Sequence, residues 1–574
     1  MERYDFVIRG GEIHDGLGTP GRIGDVAIRG GVIAAIGSVS GTGAHEIDAA
    51  GAIVTPGFID VHTHYDGQVT WETTLAPSSN HGVTTVVMGN CGVGFAPCHR
   101  DQHDMLIELM EGVEDVPEVV MAAGLPWNWE TFPEYLDALE QRHMDVDFAA
   151  QLPHSALRVF VMGPRGARQE APTEADLAQM RALTTEAVRS GAIGVSTSRN
   201  LLHRTRAGEL APSVFSEEAE LLALAGGLRD AGDGVFQMIP SVTGDAQHEF
   251  ALMRRIAVAS GRPLAFSLLQ SHSGDEDAWS HTLSLLSAAN EDGLEMRAQV
   301  FPRPVGFLYG LDLSFHYFSL HPSYRALADL SLAEKVIALR DPEVRARLLV
   351  EEPVSANEFA LAIVKGFARA LPMTDPPNYE PDMRYRVSQE AKKRGQTLAE
   401  HALDLLLADD GKAIYFVPGA NYRDGNLDAA RAMAAHPNTV LGLGDGGAHY
   451  GLICDGSFPT SYLQSWVRDA RPDQAVALPA AIRALSLEPA WSVGLRDRGT
   501  LRVGGRADLN VIDLARLRLY APTVAYDLPG GGRRLRQNAD GYLATFVNGQ
   551  MTYRNGVHTG ALPGRLIRGA RPQA

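Results

Sequence analysis

Between about residues 57 and 495, apolar runs of strand length alternate with stretches of helical periodicity. The runs 57–61, 83–88, 191–196, 234–239, 263–269, 295–301 and 440–443 read as strands, and helical patterns such as 174–190 and 216–230 lie between them. A chain that returns through a helix re-enters a sheet in the same direction, so these strands must be parallel. So many repeats in one stretch predict an α/β fold built on a TIM (β/α)8 barrel over 57–495. Some 135 residues separate the runs 295–301 and 440–443, far beyond an ordinary connection. That segment carries helical patterns at 331–349 and 397–408, and Asp375-Pro376-Pro377-Asn378-Tyr379-Glu380-Pro381, which fits no regular element. It is predicted to be an insertion, about 307–435, placed between strands 7 and 8 as a lid.

The flanks differ in kind. Val7-Ile8-Arg9-Gly10-Gly11-Glu12-Ile13 and Ala27-Ile28-Arg29-Gly30-Gly31-Val32-Ile33 each read as strand, Gly-Gly turn and strand, and Phe546-Val547-Asn548-Gly549-Gln550-Met551 reads as a hairpin on an Asn-Gly turn. Neither end has enough strands to bury a core alone, so 1–56 and 496–560 are predicted to form one small β domain together. The tail 561–574, with Arg565, Arg568 and Arg571, is expected as an arm on the surface or on a partner subunit.

Charge narrows the partners. With 69 acidic and 51 basic residues the net charge is −18, which disfavours nucleic acid. No apolar run is long enough to span a membrane, and the N-terminus lacks the apolar core of a signal peptide. The three cysteines, Cys91, Cys98 and Cys454, make no disulfide framework. A cytoplasmic protein acting on a small molecule is expected, with a homo-oligomer left open.

Three strand ends carry metal chemistry. The run Gly57-Phe58-Ile59-Asp60-Val61 leads into His62-Thr63-His64, and side chains two apart on a strand share a side, so both imidazoles can reach one ion. Val83-Thr84-Thr85-Val86-Val87-Met88 leads to Gly89-Asn90-Cys91-Gly92, where a thiolate would be a good zinc ligand. Val440-Leu441-Gly442-Leu443 leads to Gly444-Asp445-Gly446-Gly447-Ala448-His449; Asp445 can bind a metal and exchange a proton with water, and His449 can lie over the same pocket. Cys98 and Cys454 lack such placement and read as structural.

Together these constellations resemble the amidohydrolase superfamily, and in closer detail its N-acyl-D-amino-acid deacylases. The resemblance covers nearly the whole chain. It includes the opening Tyr4-Asp5-Phe6-Val7-Ile8-Arg9-Gly10-Gly11, the run Gly191-Ala192-Ile193-Gly194-Val195-Ser196-Thr197-Ser198, and the ending Gly504-Gly505-Arg506-Ala507-Asp508-Leu509. It implies that the small β domain is a β-sandwich. It also implies a site of His62, His64 and Asp445 with Cys91 near or bridging, loaded with Zn2+. No lysine stands on the fourth strand, so the carbamylated-lysine bridge of other superfamily members is not expected. The histidines that the family carries at the ends of its fifth and sixth strands are missing too: 234–241 has none, and His272 lies a few positions off as a candidate additional ligand. One ion is therefore preferred and a second allowed.

The expected reaction is hydrolysis of a C–N amide bond by water activated on the metal, with Asp445 moving the proton to the leaving amine. Arg199, Arg204, Arg303 and Arg423 are candidate binders of a substrate carboxylate. Altered chemistry on a lactone, an ester or a cyclic amide, and a non-catalytic module, are the alternatives.

Overall fold

The structure, a computed structural model, describes residues 2–241, 245–272 and 274–569. Eight parallel strands follow one another along the chain. Phe58–Asp60, Val83–Met88 and Asp147–Ala150 pair in that order. After Gln151 the third strand resumes as Leu152–Pro153 and opens a six-stranded parallel sheet with Gly194–Ser198, Val235–Ile239, Leu264–Ser267, Met296–Val300 and Thr439–Leu441. Beyond the last and first strands the chain segments meet again: Asp445 N–H donates to His62 O at 3.1 Å, and His64 N–H to Gly446 O at 2.7 Å.

The strands are short and buried on both sides, as parallel strands under helices must be. Phe236, Met238 and Phe266 pack with Leu221, Leu224, Phe250 and Met253 of the helices Glu218–Ala231 and Ala246–Ser260. By the two-residue period of a strand, Gln237 then faces the opposite way. The third strand lies outside the predicted runs. Asp147-Phe148-Ala149-Ala150-Gln151-Leu152-Pro153 contains no β-branched residue, so pairing with its neighbours, not local propensity, makes it a strand.

Both chain ends contribute to a single nine-stranded sheet, where Leu509–Ile512 pairs with Ile53–Pro56. One predicted hairpin is corrected. Arg3–Ile13 runs straight through Gly10-Gly11 as one strand, with a register shift between Ile8 and Gly11. The residues beyond that pair keep hydrogen-bonding to Arg22–Arg29, so the glycines make a bulge. At Gly30-Gly31 and at Asn548-Gly549, by contrast, both residues have positive φ and turn the chain as expected.

The insertion has its own apolar core, including Tyr309, Phe318, Leu339, Phe367 and Leu403, under a three-stranded antiparallel sheet of Val305–Tyr309, Tyr415–Ala420 and Leu371–Pro372. The helix predicted at 331–349 is two, Leu332–Arg340 and Pro342–Leu348. Asp341 caps the second, accepting from the N–H groups of Glu343 and Val344. The arm packs on its own chain: Gly564 N–H donates to Met144 O, Ile567 N–H donates to Phe148 O, and Arg568 meets Asp137 and Glu140. Arg571 lies outside the described residues. No described helix is long and apolar enough to cross a membrane.

A buried ion cluster ties the terminal sheet to the parallel strands. Arg498 donates to Asp147 Oδ2 at 2.8 Å and to Thr85 Oγ1 at 2.9 Å, while Arg506 lies 2.7 Å from Asp147 and 2.6 Å from Asp508. Arg498→Met is expected to destabilise the protein by about 3–5 kcal/mol, because it strips a buried carboxylate of one cation. A melting temperature within a degree of wild type would contradict this.

His81 is buried between Thr460 Oγ1 at 2.8 Å and Gln537 O at 2.9 Å, and burial lowers its pKa from 6.5 to about 3. An unfolded chain binds a proton at this position below pH 6.5 that the folded chain refuses. Its stabilising contribution is therefore intact above about pH 6.5 and drains away as pH falls toward 3. Between pH 6 and 4 the wild type should lose ~1.4 kcal/mol per pH unit more than His81→Gln. Parallel stability profiles from denaturant titration would refute it.

Candidate metal centre

His62 and His64 stand just past the first parallel strand, 1% and 2% exposed. The backbone N–H of His62 donates to Asp60 Oδ1 at 3.1 Å, and its ring Nδ1 lies 2.9 Å from Gln299 Oε1 on the seventh strand. An amide oxygen can only accept, so Nδ1 carries the hydrogen and Nε2 is left as the ligand atom. His64 is different: neither ring nitrogen has a hydrogen-bond partner among the described residues, although both are buried.

Cys91 sits in the loop after the second strand with φ +57°. Gly89 and Gly92 are required there, since a Cβ at Gly89 would fall 2.3 Å from Gln151 O and one at Gly92 3.0 Å from Thr197 Cα. Asn90 donates to Thr63 O at 3.1 Å and Val87 O at 2.9 Å, and Ser196 Oγ accepts from Gly92 N–H at 3.0 Å while bonding Gly89 O. The loop thus holds the thiol 3.3 Å from His62 Nε2. The ligand atoms of His62, His64 and Cys91 all lie within 4.8 Å of one another.

Asp445 closes the set from the eighth strand, its Oδ1 3.5 Å from His62 Nε2 and 3.6 Å from His64 Nε2. Its loop holds Leu443, Asp445 and His449 at φ +64°, +47° and +52°, conformations kept only where the surroundings enforce them. The glycines between them permit close approach: a Cβ at Gly444 would meet Asp60 Oδ2 at 2.0 Å, and one at Gly446 would meet Tyr65 OH at 2.5 Å.

Sequence reading misses Glu114, the last residue of the helix His103–Glu114. It is 1% exposed, and its Oε2 lies 3.4 Å from both His64 Nε2 and His449 Nε2. Nothing local distinguishes Glu114 from Glu108 or Glu111 of the same helix; only the fold turns it inward. Gln299 is likewise invisible as a site residue, since Arg297 on the same short strand is equally polar.

Burial dominates the electrostatics. It lowers the pKa of His62 to about 4 and takes His64 well below its usual value, so both imidazoles are neutral, the form that binds metals. It pushes Cys91, Glu114 and Asp445 well above their usual values, and each is raised further by neighbouring carboxylates. Three acidic groups beside neutral imidazoles suit the binding of a cation. The orphaned ring of His64 supports the same conclusion, since an unpaired buried polar group costs about 1–3 kcal/mol. The donor set, two imidazoles, a thiol and a carboxylate, fits zinc.

The other sequence candidates are distributed unevenly. Arg204 and His449 line a cavity of about 290 Å³ beside the cluster, together with His203 and with Phe307, Phe315 and Ile363 of the insertion. Arg204 Nη1 donates only to Gly208 O, at 2.8 Å, and makes no ion pair among the described residues. His272 is exposed and contacts Arg369, so it does not join the metal ligands. Arg303 is buried against Asp455, the Cys454 carbonyl and Ser457. Arg199 pairs with Glu249 at 2.9 Å, and Arg423 reaches Glu276 at 3.5 Å. All three guanidinium groups are held by the protein itself. Cys98 and Cys454 are buried and unpaired.

The amidohydrolase family model matches residues 45–553. An uncharacterized protein of Mycobacterium tuberculosis (strain ATCC 25618 / H37Rv) is 30% identical, across 97% of this chain and 93% of its own. The N-acyl-D-aspartate deacylase of Alcaligenes xylosoxydans xylosoxydans is 29% identical, across 98% and 95%. The fold matches that of N-acyl-D-glutamate deacylase from Bordetella bronchiseptica, solved with zinc and a phosphonate mimic of the tetrahedral intermediate. The TM-score is 0.64 at 24% identity, covering 99% of this chain and 100% of that one.

Proposed function

The chain belongs to the amidohydrolase family, hydrolases acting on carbon–nitrogen bonds, and from that membership we propose that it deacylates N-acyl-D-amino acids with a divalent metal, zinc by preference. The observation that carries this reading is the meeting of His62, His64 and Cys91 within 4.8 Å, with Asp445 at 3.5 and 3.6 Å from the two imidazoles. These groups come from three strand ends far apart in the chain.

We read the eight parallel strands as one closed (β/α)8 barrel over 57–495, in which strand ends converge on a common site; the bonds of His62 and His64 to the Asp445 loop support closure. The ends 1–56 and 496–560 form the β-sandwich, 561–574 the arm, and the insertion at about 307–435 a lid, because it contributes Phe307, Phe315 and Ile363 to the cavity. Three free cysteines support a reducing compartment such as the cytoplasm.

When bound, the ion would polarise the scissile carbonyl and lower the pKa of water to about 7. The chain's own residues do the rest. His62, His64 and Cys91 hold the ion, with Gln299 fixing the His62 tautomer. Asp445, whose Oδ1 faces the two imidazoles, takes a proton from the attacking water on its other oxygen and returns it to the leaving nitrogen. Arg204 binds the substrate carboxylate, and the aromatic wall from the insertion keeps water from the acyl group.

Protein grown with zinc should carry bound metal and hydrolyse N-acyl-D-amino acids in preference to the L-forms, to cyclic amides and to lactones. Metal-free protein, or lactone turnover with every N-acyl amino acid inert, overturns the proposal. Arg204→Met should raise KM about ten- to a hundredfold, the worth of a hydrogen bond to a charged group, with metal content unchanged; an unaltered KM removes Arg204 from the site.

A further inference from the structure

The ligand atoms form an unbroken chain. Cys91 Sγ lies 3.3 Å from His62 Nε2, which lies 3.5 Å from Asp445 Oδ1. Asp445 Oδ1 lies 3.6 Å from His64 Nε2, His64 Nε2 3.4 Å from Glu114 Oε2, and Glu114 Oε2 3.4 Å from His449 Nε2. Two ligands of one tetrahedral ion, bonded at about 2.0–2.3 Å, stand roughly 3.3–3.8 Å apart. Each link in the chain has that spacing, yet there are six donors and a tetrahedral ion takes four.

Charge makes the same point. As ligands, Cys91, Asp445 and Glu114 bring three negative charges into a buried space, and one dication leaves the cluster anionic. A second leaves a single positive charge, suited to the negative charge that develops on the scissile carbonyl oxygen. Buried charge is tolerated only when balanced in this way. The fifth and sixth strands offer no alternative seat, since Gln237 and Ser267 stand there and neutral amides and hydroxyls are poor ligands for zinc. Glu114 and His449 instead offer a carboxylate and an imidazole 3.4 Å apart, and His449 opens on the 290 Å³ cavity.

We propose that Glu114 and His449 hold a second divalent cation of the zinc type, beside the ion of His62, His64, Cys91 and Asp445 and facing the substrate cavity. The inference rests on the first metal site proposed above. With only two protein ligands of its own, this ion would leave positions open for an oxygen of the substrate, unlike a structural site closed by four protein ligands.

The test is metal stoichiometry of the full-length protein. Wild type is saturated with zinc, freed of excess by gel filtration and analysed by inductively coupled plasma mass spectrometry. Two zinc ions per chain are expected for wild type and one for Glu114→Gln and for His449→Gln, each with a melting temperature showing that it is folded. His449 is partly exposed, so His449→Gln decides the matter if Glu114→Gln does not fold. One ion in wild type, or two retained in His449→Gln, overturns the second site while leaving the first standing. No ion in wild type overturns both, so the two failures are distinguishable.

Discussion

Asp445→Asn is expected to lower kcat by about 10²–10⁴-fold, the usual worth of general acid–base catalysis, while the protein keeps metal at the first site. The variant leaves His62, His64 and Cys91, whose ligand atoms lie within 4.8 Å of one another, and three protein ligands suffice to hold a catalytic ion. The amide cannot accept a proton from water at neutral pH. The two effects separate in measurement: metal analysis reports the ligand, and steady-state kinetics report the proton transfer. If the variant turns over at the wild-type rate with metal bound, another residue moves the proton. If it loses its metal as well as its rate, Asp445 acts chiefly as a ligand.

The second large effect is a contrast between two residues on the same ion. His64→Ala removes a ligand outright and should abolish both tight zinc binding and hydrolysis. Gln299→Ala leaves every ligand in place but frees the His62 ring, whose Nδ1 it holds at 2.9 Å. Loss of such an outer partner should weaken metal binding by about 10–100-fold. Excess zinc should therefore restore activity to Gln299→Ala and not to His64→Ala. Competition with a chromophoric chelator gives the affinities directly. Equal affinities for wild type and Gln299→Ala would show that the hydrogen bond does not set the tautomer, and full zinc affinity in His64→Ala would remove the residue from the site.

What could be read in the sequence divides along the range of the interactions. His62, His64, Cys91 and Asp445 were legible as candidates because each closely follows an apolar run, and strand ends are where a parallel α/β fold gathers its chemistry. Glu114 was not, because its helix carries several similar carboxylates and only docking against His64 and His449 selects one. The third strand escaped for a related reason: Asp147–Ala150 has little strand propensity and exists by pairing with its neighbours. Gly10-Gly11 misled in the opposite direction. Locally it looks the same as the true turn at Gly30-Gly31, and only continued pairing with Arg22–Arg29 keeps the first strand straight.

The four candidate arginines show the limit most clearly. All have the chemistry to bind a carboxylate, and sequence cannot rank them. In the folded chain Arg303, Arg199 and Arg423 are held by Asp455, Glu249 and Glu276, and Arg204 alone both lines the cavity and lacks an ion pair among the described residues.

The sequence by itself determined the alternation of strands and helices, the joining of the two chain ends into one sheet, and the four candidate ligands borne on strand ends. All of these follow from hydrophobic period and local turn chemistry. Tertiary structure alone decided which acidic and basic groups lost water together, and hence which could bind. Desolvation belongs to a place in the fold and not to a residue type, and no pattern along the chain encodes it.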